Sequence, residues 1–215
     1  MLKRYALYLV VAIAAVSVGA IAANRDSIFG SSTTASTAPH RIEIATNGLH
    51  IQPWIKPDAP NFPRLLRTAA AEGKGVIALF EQRGCHFCAQ LHAVNFAKPE
   101  ITEFMADNFV VVQVDLWGER QVVNFDGARM PEAELARQWG VTGTPTTLVF
   151  AKNAGKVTSL AQAETFRLPG YMKPFYYVST FQFLVSGAYE RETFQTFMDN
   201  RVAALVAEGG NPDTW

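Results

Sequence analysis

Only two of the 215 residues are cysteine, so no framework of structural disulfides supports this chain, and stability has to come from its apolar core. Charge of either sign is not in excess: nineteen Lys and Arg balance nineteen Asp and Glu. Beyond Lys3 and Arg4 there is no basic run, which argues against a nucleic-acid partner. No internal repeat and no second C-x-x-C occur, and no distant histidine pair joins Cys85, Cys88, His86 and His92 into a zinc ligand set, so no metal is expected. Covalent haem is excluded as a motif, because Ala89 stands where C-x-x-C-H would need histidine. What the chain does have is apolar residues, 49% of the total, enough for one well-packed domain.

The first residues bear on compartment. Lys3 and Arg4 precede a charge-free run, Tyr5 to Ala23, rich in Ala, Val, Ile and Leu. That is the pattern of an export signal, with Ala20, Ala22 and Ala23 offering a cleavage site; the run is also long enough for an uncleaved membrane anchor. In either case the basic residues stay on the cytoplasmic side and the bulk of the chain faces outward, so a periplasmic location is expected. A polar tether follows through Ser31 to Pro39, and the reading is residues 1–23 signal or anchor, 24–39 linker and 40–215 folded domain.

Within the domain, Arg41 to Ala45 and Leu49 to Ile55 read as short strands or extended segments, broken up by Pro53, Pro57, Pro60 and Pro63. Phe62, Leu65, Leu66, Ala69 and Ala70 recur at helical spacing up to Gly73. Val76 to Phe80 is a continuous apolar run of strand length, as expected of a central strand covered on both faces. Leu91, His92, Asn95 and Phe96 carry a helical face on from Cys88, and Pro99 kinks or ends it before a second helix, Glu100 to Asp107. Phe109 to Val114 is a second buried strand, and Trp117 to Met130 a loop or hairpin insertion. Pro131 opens a helix to Trp139. Thr147 to Ala151 and Val157 to Leu160 read as a hairpin joined by Lys152 to Lys156, with Thr165 to Leu168 as a further edge strand. Phe175 to Ala188 and Arg191 to Ala207 close the chain as helices, with the aromatic stretch Phe175, Tyr176, Tyr177, Phe181 and Phe183 assigned to the core. This order predicts an α/β fold: a four- or five-stranded mixed sheet flanked by helices on both faces, with extra C-terminal helices.

The chemistry lies in Cys85-His86-Phe87-Cys88, placed where the apolar strand gives way to a helix. Two sulfurs three positions apart at a helix start lie one turn apart and can join in a small ring, with the first thiol exposed. Unpaired N–H groups and the positive dipole end favour the thiolate there. Cys85 is therefore the candidate nucleophile and Cys88 the resolving thiol. His86, between them, is read as a tuning group whose protonated form would stabilise the Cys85 thiolate. Glu81 is read either as a proton relay to Cys88 through water or as a charged residue at the solvated end of the strand. His92 reads as a satisfied side chain in the second turn.

These motifs, together with Val141-Thr142-Gly143-Thr144-Pro145-Thr146, resemble the thioredoxin superfamily. The wider pattern is similar to the SoxW-type periplasmic thioredoxins of bacterial sulfur oxidation. It includes Phe80-Glu81-Gln82, Leu91-His92, Asp115-Leu116-Trp117-Gly118, Phe125-Asp126-Gly127, Pro169-Gly170-Tyr171 and Lys173-Pro174-Phe175. The resemblance implies a thioredoxin fold, a cis Thr144-Pro145 bond beside the cysteines where a substrate peptide pairs, and a redox-active Cys85–Cys88 disulfide. It also implies a secreted thiol-disulfide oxidoreductase that needs no cofactor, reduces protein disulfides and receives electrons from a membrane thiol transporter. One departure is Leu79, which stands where thioredoxins keep a buried acid. The rival readings are a disulfide oxidase or isomerase, a metal-binding module on the same fold, and a docking module with inert thiols.

Overall fold

The computed structural model describes residues 42–150 and 157–215; residues 1–41, with the export or anchor segment and tether, and the turn expected at Lys152 to Lys156 fall outside them. The centre is a four-stranded mixed sheet in the order β4-β3-β7-β8, formed by β3 (Gly75–Glu81), β4 (Phe109–Asp115), β7 (Thr146–Phe150) and β8 (Glu164–Pro169). β3 runs parallel to β4 and antiparallel to β7, and β7 is antiparallel to β8. Every residue of β3 is buried, as its unbroken apolar run predicts.

Because successive strand residues point to opposite faces, β3 divides its side chains between two cores. Val76, Ala78 and Phe80 pack with α1 (Phe62–Ala71) and α4 (Glu132–Gln138). Phe62, Phe80, Phe125, Trp139 and Phe150 form an aromatic cluster there, with Trp139 stacked on Phe125 at 5.3 Å between centroids. Ile77 and Leu79 face α3 (Pro99–Asn108) and α6 (Pro174–Val185), where Phe109, Tyr177 and Phe181 fill the space. Period-two alternation therefore places Glu81 on the same face as Leu79.

Local chemistry sets the helix boundaries. The Asn61 side chain accepts from the Arg64 N–H at 3.0 Å at the start of α1, and Thr193 caps α7 (Phe194–Ala207) by accepting from the Thr196 N–H. α7 packs on α6 through the rings of Phe194 and Phe197 against Phe183. The aromatic assignment to the core holds for Phe175, Tyr177, Phe181 and Phe183, all buried, while Tyr176 is only half-buried.

The insertion after β4 is a hairpin, β5 (Gln121–Val123) with β6 (Arg129–Pro131). Before α1, the two-residue strands β1 (Glu43–Ile44) and β2 (His50–Ile51) pair with each other, and the chain then runs along β4, with the Lys56 N–H donating to the Val111 carbonyl. This docking buries Leu49, His50, Gln52 and Ile55.

One expectation fails. The partner of β7 is β8, and Leu160–Ala163 is a short helix, α5, instead of the second arm of a hairpin. Leu, Ala and Gln are good helix formers, and the Gln162 side chain accepts from the Thr158 N–H and so closes a local turn. Glu164–Pro169 then supplies the longer ladder, extending the edge strand expected at Thr165 to Leu168.

Candidate active site

β3 ends at Glu81, and Gln82 to Gly84 turn the chain into α2 (His86–Gln90). Gly84 takes φ +72°, a left-handed conformation that costs glycine little. Cys85 occupies the N-cap of α2, where its sulfur accepts from the Cys88 N–H at 3.0 Å. The sulfur thus takes the place of the usual capping oxygen and satisfies one of the helix's free amides. Cys85 and Cys88 are joined as a disulfide, with Cα atoms 5.2 Å apart, inside the ordinary span for such a bond.

Exposure separates the two sulfurs. Cys88 is completely buried, whereas Cys85 is 8% exposed and reaches the edge of the surface. This is less than the open position expected of Cys85, because its sulfur is turned back onto Cys88 and the N-terminus of α2. His86 and Phe87, between them, point outward.

Thr144-Pro145 is cis, as the resemblance implied. Its place beside the cysteines follows from register. Phe80 pairs with Thr146, so the proline sits at the start of β7 next to the end of β3 that feeds the cysteine loop. The Gly170 N–H donates to the Pro145 carbonyl at 2.7 Å, and the following Tyr171 stacks on Phe87, with centroids 6.2 Å apart. A cavity of about 250 Å³ lies along this turn, lined in part by Thr142, Thr144, Arg167 and Pro169. Phe87 is 53% exposed and Trp117 71% exposed; the Trp117 indole N–H donates to Gln82 at 3.1 Å. The surface around the cysteine loop is thus aromatic, beside a groove of mixed polarity.

Behind the disulfide lies a buried polar cluster that sequence reasoning resolved only in part. From Leu91 to Asn95 the helix widens to a π-turn, with the Phe96 N–H donating to the Leu91 carbonyl at 3.0 Å. Leu91, His92, Asn95 and Phe96 are all buried, matching the helical face read from the sequence. His92 Nε2 lies 2.9 Å from Glu81 Oε1, and the Gln113 amide donates to Glu81 Oε2. Glu81 is fully buried, so its reading as a solvated strand end is corrected: its parity directs it inward, and His92 and Gln113 supply partners there.

His50, which the sequence reading did not single out, stacks on His92 at 4.8 Å, and its carbonyl accepts from Gln113. Burial and the nearby His92 hold its pKa below the usual histidine value, against an upward pull from Glu81. Its position on β2 offers no local signal, since the contact depends on how the N-terminal segment docks.

The family model for the thioredoxin-like domain matches residues 62–184. The chain belongs to this family. The matched span runs from α1 through most of α6 and includes both the cysteine pair and the cis-proline turn. Solved structures with a related fold include a thioredoxin-fold protein from Helicobacter pylori, at 19% identity over 61% of this chain and 81% of that one, with a TM-score of 0.48. A thioredoxin from Thermus thermophilus aligns at 26% identity over 62% of this chain and 92% of its own, with a TM-score of 0.46. The C-terminal domain of DsbD from Neisseria meningitidis aligns at 16% identity over 58% and 97%, with a TM-score of 0.39. All three TM-scores are below 0.5, so the assignment rests on the family model. No curated protein matches the chain. A thioredoxin-like domain with a bonded C-x-x-C pair at a helix N-terminus has the parts needed for thiol–disulfide exchange.

Proposed function

We propose that this thioredoxin-like protein is an extracytoplasmic thiol-disulfide oxidoreductase that reduces disulfides in other proteins. The observation that carries this reading is the asymmetry of the pair: Cys85 lies at the edge of the surface, 8% exposed, and accepts a backbone N–H, while Cys88 is fully buried. In the reduced protein the Cys85 thiolate attacks a substrate disulfide, forming a Cys85–substrate bond and expelling one substrate thiolate. Cys88 then gives up its proton and attacks Cys85, closing the ring and releasing the second substrate thiolate. Two electrons pass to the substrate, and a dithiol donor must return two to the Cys85–Cys88 disulfide.

The donor in this proposal is a membrane thiol transporter; the basic-then-apolar pattern of the first residues supports a location for the domain outside the cytoplasm, where such a donor would act. The SoxW-like residues extend the proposal to a role in sulfur oxidation. Thr144 and Pro145 form the substrate-facing turn, with Phe87 and Trp117 as its apolar flanks. His86 and Glu81 are the proposed tuning groups, one exposed beside Cys85 and the other buried at the end of β3.

The test is a trap. Cys88→Ser expressed in an exporting host should accumulate mixed disulfides through Cys85, resolved by mass spectrometry, and Cys85→Ser should accumulate none. An empty Cys88→Ser trap, together with no reduction of insulin disulfides by the wild type, would overturn the proposal.

A further inference from the structure

Thiol exchange does not account for the whole buried cluster. Among the described residues, His50, Glu81 and His92 each bring a ligand atom within 4.8 Å of the others, and all three are buried. Glu81 and His92 are fully enclosed, and His50 is 7% exposed. The hydrogen bonds given above use both Glu81 oxygens and one nitrogen of His92. They leave His50 Nδ1 and His92 Nδ1 buried without a partner. A buried polar atom with no partner costs about 1–3 kcal/mol. Ring stacking explains why the two imidazoles lie together but does nothing for those nitrogens. Two imidazoles and a carboxylate enclosed in one place are the donor set that a divalent cation satisfies.

We propose that His50, Glu81 and His92 form a binding site for a divalent cation of the zinc class. Two nitrogens and one carboxylate oxygen select a borderline ion over magnesium or calcium, which take oxygen ligands. Three protein ligands leave a fourth position for water, the arrangement of an open zinc site. Ligands about 2.0–2.1 Å from a tetrahedral ion lie about 3.3 Å apart. A pair at the 4.8 Å limit has to close by about 1.5 Å to reach that tetrahedral spacing, a change that rotation of the His50 or His92 ring supplies. Gln113 braces the site from behind, donating to both Glu81 Oε2 and the His50 carbonyl. Both cysteine sulfurs are committed to each other in the disulfide form, so the site is independent of them.

The test uses the oxidised full chain, stripped with EDTA and titrated with zinc chloride by calorimetry, with cobalt(II) as a spectroscopic probe. One equivalent of zinc per chain is expected, with the visible bands of tetrahedral cobalt. His50→Ala should weaken zinc binding by at least about ten-fold without altering the far-ultraviolet circular dichroism. His92→Gln should do the same; if that variant does not fold, His50→Ala alone decides. No zinc uptake by the oxidised chain, or uptake unchanged by His50→Ala, would overturn the proposal, as would uptake confined to the reduced chain and lost in Cys85→Ser. The readout involves no turnover, so a negative result leaves the thiol reading standing, and an empty Cys88→Ser trap leaves the metal reading standing.

Discussion

Replacing Glu81 and His92 by leucine, singly and together, probes how the buried cluster is held. Glu81→Leu removes the acceptor of two enclosed donors, His92 Nε2 and the Gln113 amide. At about 1–3 kcal/mol for each orphaned group, the expected loss is about 3 kcal/mol after leucine packing returns part of it. His92→Leu leaves a fully buried carboxylate with Gln113 as its only remaining partner among the hydrogen bonds described, and breaking one side of a buried pair costs about 3–5 kcal/mol. The double variant carries neither the orphaned imidazole nor the orphaned carboxylate and leaves unpaired only one N–H of the Gln113 amide, which still donates to the His50 carbonyl, at about 1–3 kcal/mol. The two single costs, about 6–8 kcal/mol together, therefore exceed the double by at least about 3 kcal/mol, the upper end for residues in contact. Guanidinium unfolding of the oxidised chain in EDTA, followed by tryptophan fluorescence with equal m values, measures all four corners. Single-variant costs that add to the double within about 0.5 kcal/mol would refute the claim that Glu81 and His92 depend on each other.

Trp139→Ala should cost about 3–5 kcal/mol, since it empties the centre of the aromatic cluster and removes the indole N–H that donates to the Asn124 oxygen at 3.2 Å; thermal unfolding checks this. Glu132 provides the pH test. Burial raises its pKa, against a downward pull from Arg120, so the folded state favours its protonated form more than the unfolded chain does. That contribution is fully present below the unfolded carboxyl pKa and is lost as pH rises through the higher folded value. The stability of wild type relative to Glu132→Gln should therefore fall as pH rises above the ordinary carboxyl range in denaturant titrations, and a constant or rising difference would contradict the assignment.

How much of this was legible in sequence depends on whether a residue's partner is local. The strand Val76 to Phe80, the cysteine pair and the helical face through Leu91, His92, Asn95 and Phe96 follow from periodicity and spacing, and all stand in the structure. The cis bond before Pro145 was carried by the family resemblance instead of by any local preference. Glu81 was within reach of the sequence: counting by twos from Ile77 and Leu79 assigns it to the inner face, whereas the charge alone suggested water. His50 was not. It lies far from Glu81 and His92 in sequence and meets them because the segment after β2 docks along β4. The misread hairpin arm at Val157 to Leu160 is a similar case, since the ladder opposite β7 was won by a longer strand further along the chain.

The central claim, that Cys85 is the accessible attacking sulfur and Cys88 the enclosed one that resolves it, is tested most directly by timed alkylation. The reduced native protein is treated with iodoacetamide at neutral pH, quenched at intervals and mapped by mass spectrometry. The account predicts that label enters Cys85 first and reaches Cys88 only after unfolding. Equal labelling, Cys88 labelled before Cys85, or two thiols inert until the protein is denatured would contradict it.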